Sequence, residues 1–159
     1  MKLRNITPDD YAPIIAVLND WWGGRQMSDM LPRLFFEHFQ DTSFIALAED
    51  GSPAGFLVGF LSQSQPDEAY IHFVGVHPDQ RKSGVGRLLY EQFFDAVQQR
   101  GRHVVKCVTS PVNKTSIAFH LRMGFVPKAS DARTEDGISC VENYDGKGES
   151  RVVFRKYLS

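Results

Sequence analysis

The sequence predicts a mixed α/β domain in which helices flank a central sheet of mixed strand direction. Its segments alternate between strand and helix periodicity in the order β-α-α-β-β-β-α-β-α-β. Two early strands joined by a short turn predict a hairpin, and a strand-helix-strand unit occupies the middle of the chain. No repeat or linker divides the 159 residues, so we expect a single domain over 1–159.

The N-terminal part predicts one strand and two helices. Weak alternation predicts a strand at 2–6, and Thr7-Pro8 is a helix-start signal. Apolar residues then recur at helical spacing until Gly23-Gly24 ends the helix. A second helix is predicted at 28–39, with Pro32 marking its start or a kink.

The next three apolar segments predict strands at 44–48, 56–61 and 70–76. Asp50-Gly51 between the first two is a turn dipeptide, which makes this pair the hairpin. The third strand stops at His77-Pro78.

The C-terminal part predicts a long amphipathic helix at 84–100, whose apolar residues form one stripe. A strand at 104–108 and a short helix at 113–123 follow. Residues 127–150 are polar and rich in glycine and acidic side chains, which predicts mostly loop. A final strand begins at Val152.

Composition favours a soluble globular protein. The net charge is −1, with 42% hydrophobic and 23% charged residues, so no global field attracts nucleic acid or an anionic membrane. Cys107 and Cys140 make neither a disulfide framework nor a zinc-finger spacing, and we expect free thiols and no metal. The longest apolar stretch, 54–61, is far short of a membrane span, and the N-terminus has no signal-peptide core. We therefore expect a cytoplasmic location.

The densest chemical signal lies where the third strand gives way to the long helix. Unpaired amides and the helix dipole attract anions to such a helix start. Glycines let the backbone approach a phosphate closely, and basic side chains add charge-assisted donors. These properties predict a phosphate or pyrophosphate site formed by Arg81, Lys82, Ser83, Gly84, Val85, Gly86 and Arg87.

Other phosphate-binding motifs are incomplete here. A P-loop needs G-x-x-x-x-G-K-[ST], which the segment lacks. A dinucleotide fingerprint needs a glycine at the end of G-x-G-x-x-G, where this chain has Leu89. The simplest alternative is that the glycines only shape a turn.

Two segments resemble the GNAT N-acetyltransferase superfamily. The pattern Arg81-x-x-Gly84-x-Gly86 after Val76-His77-Pro78 resembles its acetyl-CoA-binding motif. The run from Asn113 to Phe125 resembles its Asn-x-x-Ala/Ser…Tyr-x-x-x-Gly-Phe segment. The resemblance covers roughly 44–125, is looser before it and weak after 127. It implies the GNAT acyl-CoA N-acyltransferase fold.

The resemblance also implies where acetyl-CoA would bind. Backbone groups of Val74 and Val76 would pair with the pantetheine arm, and the Val76 amide would polarise the thioester carbonyl. The amides of 81–86 would hold the pyrophosphate. Asn113 would hydrogen-bond the pantetheine, with Ser116 and Phe119 near the coenzyme. For Asn113 a plain helix N-cap is the alternative, and both roles are compatible.

Amine acetylation needs a neutral amine, donors for an oxyanion and a proton for the departing thiolate. Where the resembled motif carries a tyrosine, this chain has His120, and we hypothesise that it protonates the thiolate or orients a water that does. The alternative is a polar helix residue that lines the pocket. Tyr70 and His72 are candidate bases, because simple alternation puts them on one face with Val74 and Val76. His72 could equally be a packed strand residue.

The acceptor site is predicted after the first helix. Trp21 and Trp22 are adjacent on a helix and face different directions, so we expect at least one to leave the core. Asp20 could pair with a cationic amine, and a tryptophan could stack on it. Ordinary packing near a helix end is the alternative. Late-loop carboxylates such as Asp136 and Asp145 are compatible with a cationic acceptor.

The predicted function is acetyl-CoA-dependent N-acetylation of a small-molecule or peptide amine. A non-catalytic CoA-binding sensor on the same fold is the alternative. Nucleic-acid partners are not expected, because the basic residues form no extended stripe. A homodimer is compatible with the resemblance, since some members of the family dimerise.

Overall fold

The computed structural model describes residues 1–159 and confirms the predicted mixed α/β fold. The strands are β1 Lys2–Asn5, β2 Phe44–Leu47, β3 Pro53–Leu61, β4 Glu68–Val76, β5 Val104–Thr109, β6 Val126–Pro127, β7 Ala132–Arg133, β8 Ser139–Cys140 and β9 Val152–Tyr157. Seven of them form one sheet in the order β1-β2-β3-β4-β5-β9-β6, and β7 pairs with β8 separately. β4 and β5 are parallel, and every other pair is antiparallel.

Helices cover both faces of the sheet. They are α1 Tyr11–Trp21, α2 Leu34–His38, α3 Val85–Gln98 and α4 Lys114–Arg122. A core of 21 buried residues lies on the side of α3 and α4, and a core of 11 lies on the side of α1 and α2. Burial on both faces explains why β2 and β3 are almost continuously apolar.

α3 packs close to β3 because glycines leave room beneath it. A Cβ at Gly55 would lie 2.9 Å from Val85 Cγ1, and one at Gly59 would lie 2.5 Å from Phe93 Cε1. Val85, Leu89 and Phe93 are buried along the predicted stripe of the helix. This packing holds the N-terminal end of α3 beside the end of β4.

A β-bulge changes the faces of β4. The register with β3 shifts between Val58 and Gly59, whose partners are Phe73 and Ile71, so His72 is the extra residue. Simple alternation therefore fails beyond this point.

The bulge corrects one prediction. Tyr70 and His72 stack on aromatic rings of the α1–α2 side, whereas Val74 and Val76 pack against the core beside α3. The expectation that these four residues share one face is wrong, because it assumed an uninterrupted strand.

The predicted helix at 28–39 is also wrong in extent. The chain forms a 3₁₀ turn at Ser28–Met30 and then only the short helix α2. Leu31 between them has φ −126° and ψ 75°, outside the helical region. Pro32 explains the break, because its ring excludes helical geometry in the preceding residue.

The segment 127–150 contains more structure than predicted. β6 pairs with β9, and β7 pairs with β8, through two residues on each strand. Pairs this short contain no detectable alternation. The two cysteines are unpaired, as predicted, and both are buried.

Candidate active site

The sheet opens between β4 and β5, and this opening is the candidate active site. The two strands pair only through their first three residues, although β5 pairs with β9 along its whole length on its other edge. On the other edge of β4, His77 N donates to the Ala54 carbonyl oxygen at 2.8 Å. Because backbone groups alternate in direction along a strand, those of Val74 and Val76 point into the opening.

The turn between β4 and α3 presents a row of unpaired amides. Gly84 precedes α3 in the left-handed region, with φ +85°. The amides without an acceptor in the chain are those of Lys82, Gly84, Val85, Gly86 and Arg87. The amides of Arg81 and Ser83 instead donate to carbonyls within the turn, at 3.5 Å and 3.1 Å. α3 has 14 residues, so its dipole adds positive potential at this end.

Phe119 of α4 lies against this turn. The Cβ position of Gly86 is 3.4 Å from Phe119 Cε1 and Cζ, and 3.8 Å from Val76 Cγ2. The end of β4, the start of α3 and the outer face of α4 therefore meet at one point. Asn113 Oδ1 accepts a hydrogen bond from Ser116 N at 3.1 Å, which confirms the predicted N-cap.

The side chain of Arg81 turns away from the amide row. Its Nη2 donates to the carbonyl oxygen of Trp21 at the end of α1, and its Nε lies 3.4 Å from the Val76 carbonyl oxygen. Lys82 and Arg87 are exposed and remain the basic side chains beside the row.

His120 is buried, and both of its ring nitrogens are engaged. Nε2 lies 2.8 Å from Tyr90 Oη, and Nδ1 lies 2.8 Å from the Ser116 carbonyl oxygen. A carbonyl only accepts, so Nδ1 carries the proton and Nε2 accepts from the tyrosine hydroxyl. The ring stacks on Phe154 at 5.1 Å. Burial lowers the pKa of His120, against the opposing effect of the bond to Ser116, and the ring is neutral at pH 7.

Tyr90 was missed by the sequence analysis. It is buried in α3, and burial raises the pKa of its phenol, which remains a neutral donor. A tyrosine within the apolar stripe of a helix was the available signal, since a buried hydroxyl needs a partner.

His72 and Tyr70 occupy the α1–α2 side of β4. His72 Nε2 lies 2.7 Å from the Met30 carbonyl oxygen, and its ring stacks on Phe35 at 4.4 Å. A carbonyl oxygen only accepts, so Nε2 is the donor in this bond. Burial, with a smaller contribution from Tyr144, raises the pKa of Tyr70 above its usual range, so its phenol stays protonated.

The adjacent tryptophans both pack against the core on the α1–α2 side, but to different extents. Trp21 is buried against Phe56. Trp22 is half-buried, packs on Phe73 at 5.3 Å, and has its Cη2 3.2 Å from the Cβ position of Gly75. Trp22 thus forms a wall beside β4, across the sheet from the amide row.

The late-loop carboxylates are paired with basic side chains. Arg151 holds Asp145 at 3.0 Å and Glu149 at 3.2 Å, and Asp136 lies 3.8 Å from a lysine of α4. Asp20 is exposed and makes no ion pair. Asp20 is therefore the carboxylate near Trp22 that is open to a cationic group.

A solved structure shares this architecture along its whole length. The yncA protein of Salmonella typhimurium, solved with acetyl-CoA, superposes with a TM-score of 0.72 at 20% identity and covers 100% of this chain and 94% of that one. This likeness defines the fold as that of the acetyltransferases. Residues 11–125 match the acetyltransferase (GNAT) family. The chain belongs to that family.

Two curated relatives have named acceptors. An L-2,4-diaminobutyric acid acetyltransferase of Nocardia farcinica is 33% identical over 86 residues, covering 54% of this chain and 44% of the relative. A ribosomal-protein alanine N-acetyltransferase of Escherichia coli is 30% identical over 79 residues, covering 50% and 51%. The chain thus spans about half the length of these relatives. No helix of the chain has the length and apolar character that crossing a membrane requires.

Proposed function

We propose that this protein transfers an acetyl group from acetyl-CoA to an amine of a small molecule or peptide, directly within a ternary complex. The observation that carries the proposal is the row of five unpaired amides at the start of α3. A diphosphate suits such a row, because each amide donates one hydrogen bond and the helix dipole adds positive potential. Gly86, within the row, lies against Phe119 and beside Val76 at the end of β4, where the sheet opens.

The open edge of β4 supports binding of the rest of the coenzyme. An extended pantetheine arm would pair with the backbone of Val74 and Val76 like an added strand. Asn113 uses its Oδ1 as a cap, and its Nδ2 would donate to the same arm. Lys82 and Arg87 would add charge at the diphosphate end. The Val76 amide would donate to the thioester oxygen as negative charge develops there.

His72 is our candidate for proton removal from the acceptor. An alkylammonium has a pKa near 10.4, so it must lose a proton before it attacks. Nδ1 of His72 would accept that proton through a water, because Nε2 is fixed as a donor to Met30. The neutral phenol of Tyr70 would help to orient the water. Trp22 and Asp20 would hold the ammonium beforehand, by cation–π contact and charge.

The contacts of His120 favour a positioning role for this residue. Its Nε2 carries no proton to give, since Tyr90 donates to it. A thiol pKa near 8.5 makes the thiolate an adequate leaving group at neutral pH. Protonation of the thiolate by His120 stays a prediction.

An acceptor panel of amino acids, diamines and peptides, analysed by mass spectrometry, tests the function. We expect acetyl gain on at least one primary amine and calorimetric binding of CoA. Gly86→Val should weaken CoA binding, because its side chain would fill the space against Phe119. Leu88→Ala, exposed on the same helix, is the matched control. Binding of CoA without any acetyl transfer would indicate the sensor, and absence of binding would reject the proposal.

A further inference from the structure

We propose that Arg81 is a positioning residue that couples occupancy of the coenzyme turn to the acceptor wall formed by Trp22. The inference rests on the proposed function and assigns to this side chain a task other than phosphate binding. Its basis is the contact between a residue of the amide-bearing turn and a carbonyl sixty positions earlier in the chain.

The contact has a clear electrostatic reason. The carbonyl oxygens of Asn19 and Asp20 accept from amides just after the helix, so that of Trp21 is left without a backbone donor at the negative end of the α1 dipole. α1 has no basic residue in its own last turn. The guanidinium of Arg81 supplies that charge from outside, donating through Nη2 to the carbonyl oxygen of Trp21. Its Nε lies 3.4 Å from the Val76 carbonyl oxygen, so one side chain joins α1, β4 and the turn.

The joined segment carries the acceptor wall. Trp21 is anchored by burial, and Trp22, the next residue, lies over Gly75 of β4. The chain then leaves the helix through Gly23 and Gly24, at φ +64° and +89°, with open space around both. The direction of Trp22 therefore depends on how the end of α1 is held.

The turn between β4 and α3 is the part of this connection to which a ligand would bind. The amide of Lys82, next to Arg81, is unpaired, as are those of 84–87. A diphosphate bound to these amides would fix the backbone that carries Arg81, and with it the position from which the guanidinium reaches Trp21. A ligand changes a distant site only through such a differential contact. Loss of Arg81 should therefore weaken acceptor binding more than coenzyme binding.

Tryptophan fluorescence reports this segment alone, because Trp21 and Trp22 are the two tryptophans of the chain. CoA is titrated into the full chain with tryptophan-selective excitation, while calorimetry measures binding separately. We expect a saturable emission change that persists in Trp21→Phe, which keeps the signal of Trp22. In Arg81→Ala and Arg81→Lys the change at saturation should shrink at least about fivefold.

Lys82→Ala is the matched control, since it removes one positive charge from the same turn without touching α1. It should bind CoA more weakly and still give the full emission change at saturation. In steady state, Arg81→Lys should raise the acceptor KM about fivefold or more relative to Lys82→Ala. A full emission change in both Arg81 variants would overturn the coupling and leave the proposed function standing. Absence of CoA binding by the unaltered protein would overturn both.

Discussion

The phenolic oxygen of Tyr90 lies 2.8 Å from Nε2 of His120, in the interior between α3 and α4. Both residues are buried, and the surrounding contacts are aromatic, with Phe119, Phe125 and Phe154. The bond joins the helix that presents the amide row to the helix that carries Phe119. It therefore helps to fix the distance between the amide row and Phe119, which border the proposed coenzyme site.

The two single substitutions at this bond should together cost more unfolding free energy than the double substitution does. Tyr90→Phe leaves Nε2 without a donor, and His120→Phe leaves the phenol without an acceptor. Each change should lower the free energy of unfolding by about 1–3 kcal/mol. The double variant leaves no orphaned group, so its loss should fall short of the sum by about 0.5–3 kcal/mol. Urea unfolding of the unaltered protein, the two single variants and the double variant measures these free energies. Strictly additive losses would contradict an interaction between Tyr90 and His120.

The same variants separate the two roles of His120 in catalysis. A positioning role predicts that the double variant, with a packed aromatic pair, keeps kcat within about tenfold of the unaltered protein. A proton donor predicts a loss of about 10²- to 10⁴-fold whenever His120 is absent. The measurement is kcat at neutral pH with both substrates saturating. Tyr90→Phe, which keeps the imidazole, is the control.

Acid should weaken the fold through His120. Burial lowers the pKa of His120 in the folded chain, whereas an unfolded imidazole has a pKa of about 6.5. Between these two values the unfolded state binds the additional proton, so stability falls as pH falls. The slope from this group is at most about 1.4 kcal/mol per pH unit. Urea midpoints on either side of about pH 6.5 should show the decline, and His120→Phe should flatten it. If His120→Phe left the pH dependence of stability unchanged, His120 would not be its source.

The sequence predicted the position of the glycine-bearing turn before α3, whereas the side-chain contacts around that turn were not predicted. Helix starts and glycines are local features, so the unpaired amides at 82 and 84–87 follow from neighbouring residues. The partners of Arg81 and His120 lie 60 and 30 positions away, and only the fold brings them together. The bulge at His72 depends on its pairing with β3, which strand alternation does not contain. Distant pairing therefore explains what the sequence analysis missed.

Gly75 and Gly59 offer matched substitutions on opposite faces of the sheet. A Cβ at Gly75 would lie 2.5 Å from a ring carbon of Phe56 and 3.2 Å from Trp22, and one at Gly59 would lie 2.5 Å from Phe93. Both alanine variants overpack the core and should lose about 1–3 kcal/mol of stability. Only Gly75→Ala presses on Trp22, whereas Gly59→Ala also meets the carbonyl oxygen of Tyr70 at 2.7 Å, so Gly75→Ala should raise the acceptor KM more than Gly59→Ala does. Equal acceptor KM values in the two variants would count against Trp22 as the acceptor wall.

His72 gives the sharpest test of the proposed chemistry. His72→Gln keeps an N–H donor for the Met30 carbonyl but removes the basic nitrogen. We expect kcat/KM to fall about 10²-fold or more at neutral pH. The loss should narrow as pH rises, because the acceptor amine then loses its proton to solvent without help. Phe35→Leu is the matched control: it removes the stacking partner of His72 and should lower stability while leaving the pH profile of kcat/KM in place. A Gln variant whose pH profile matches the unaltered protein would show that His72 is only a packed strand residue.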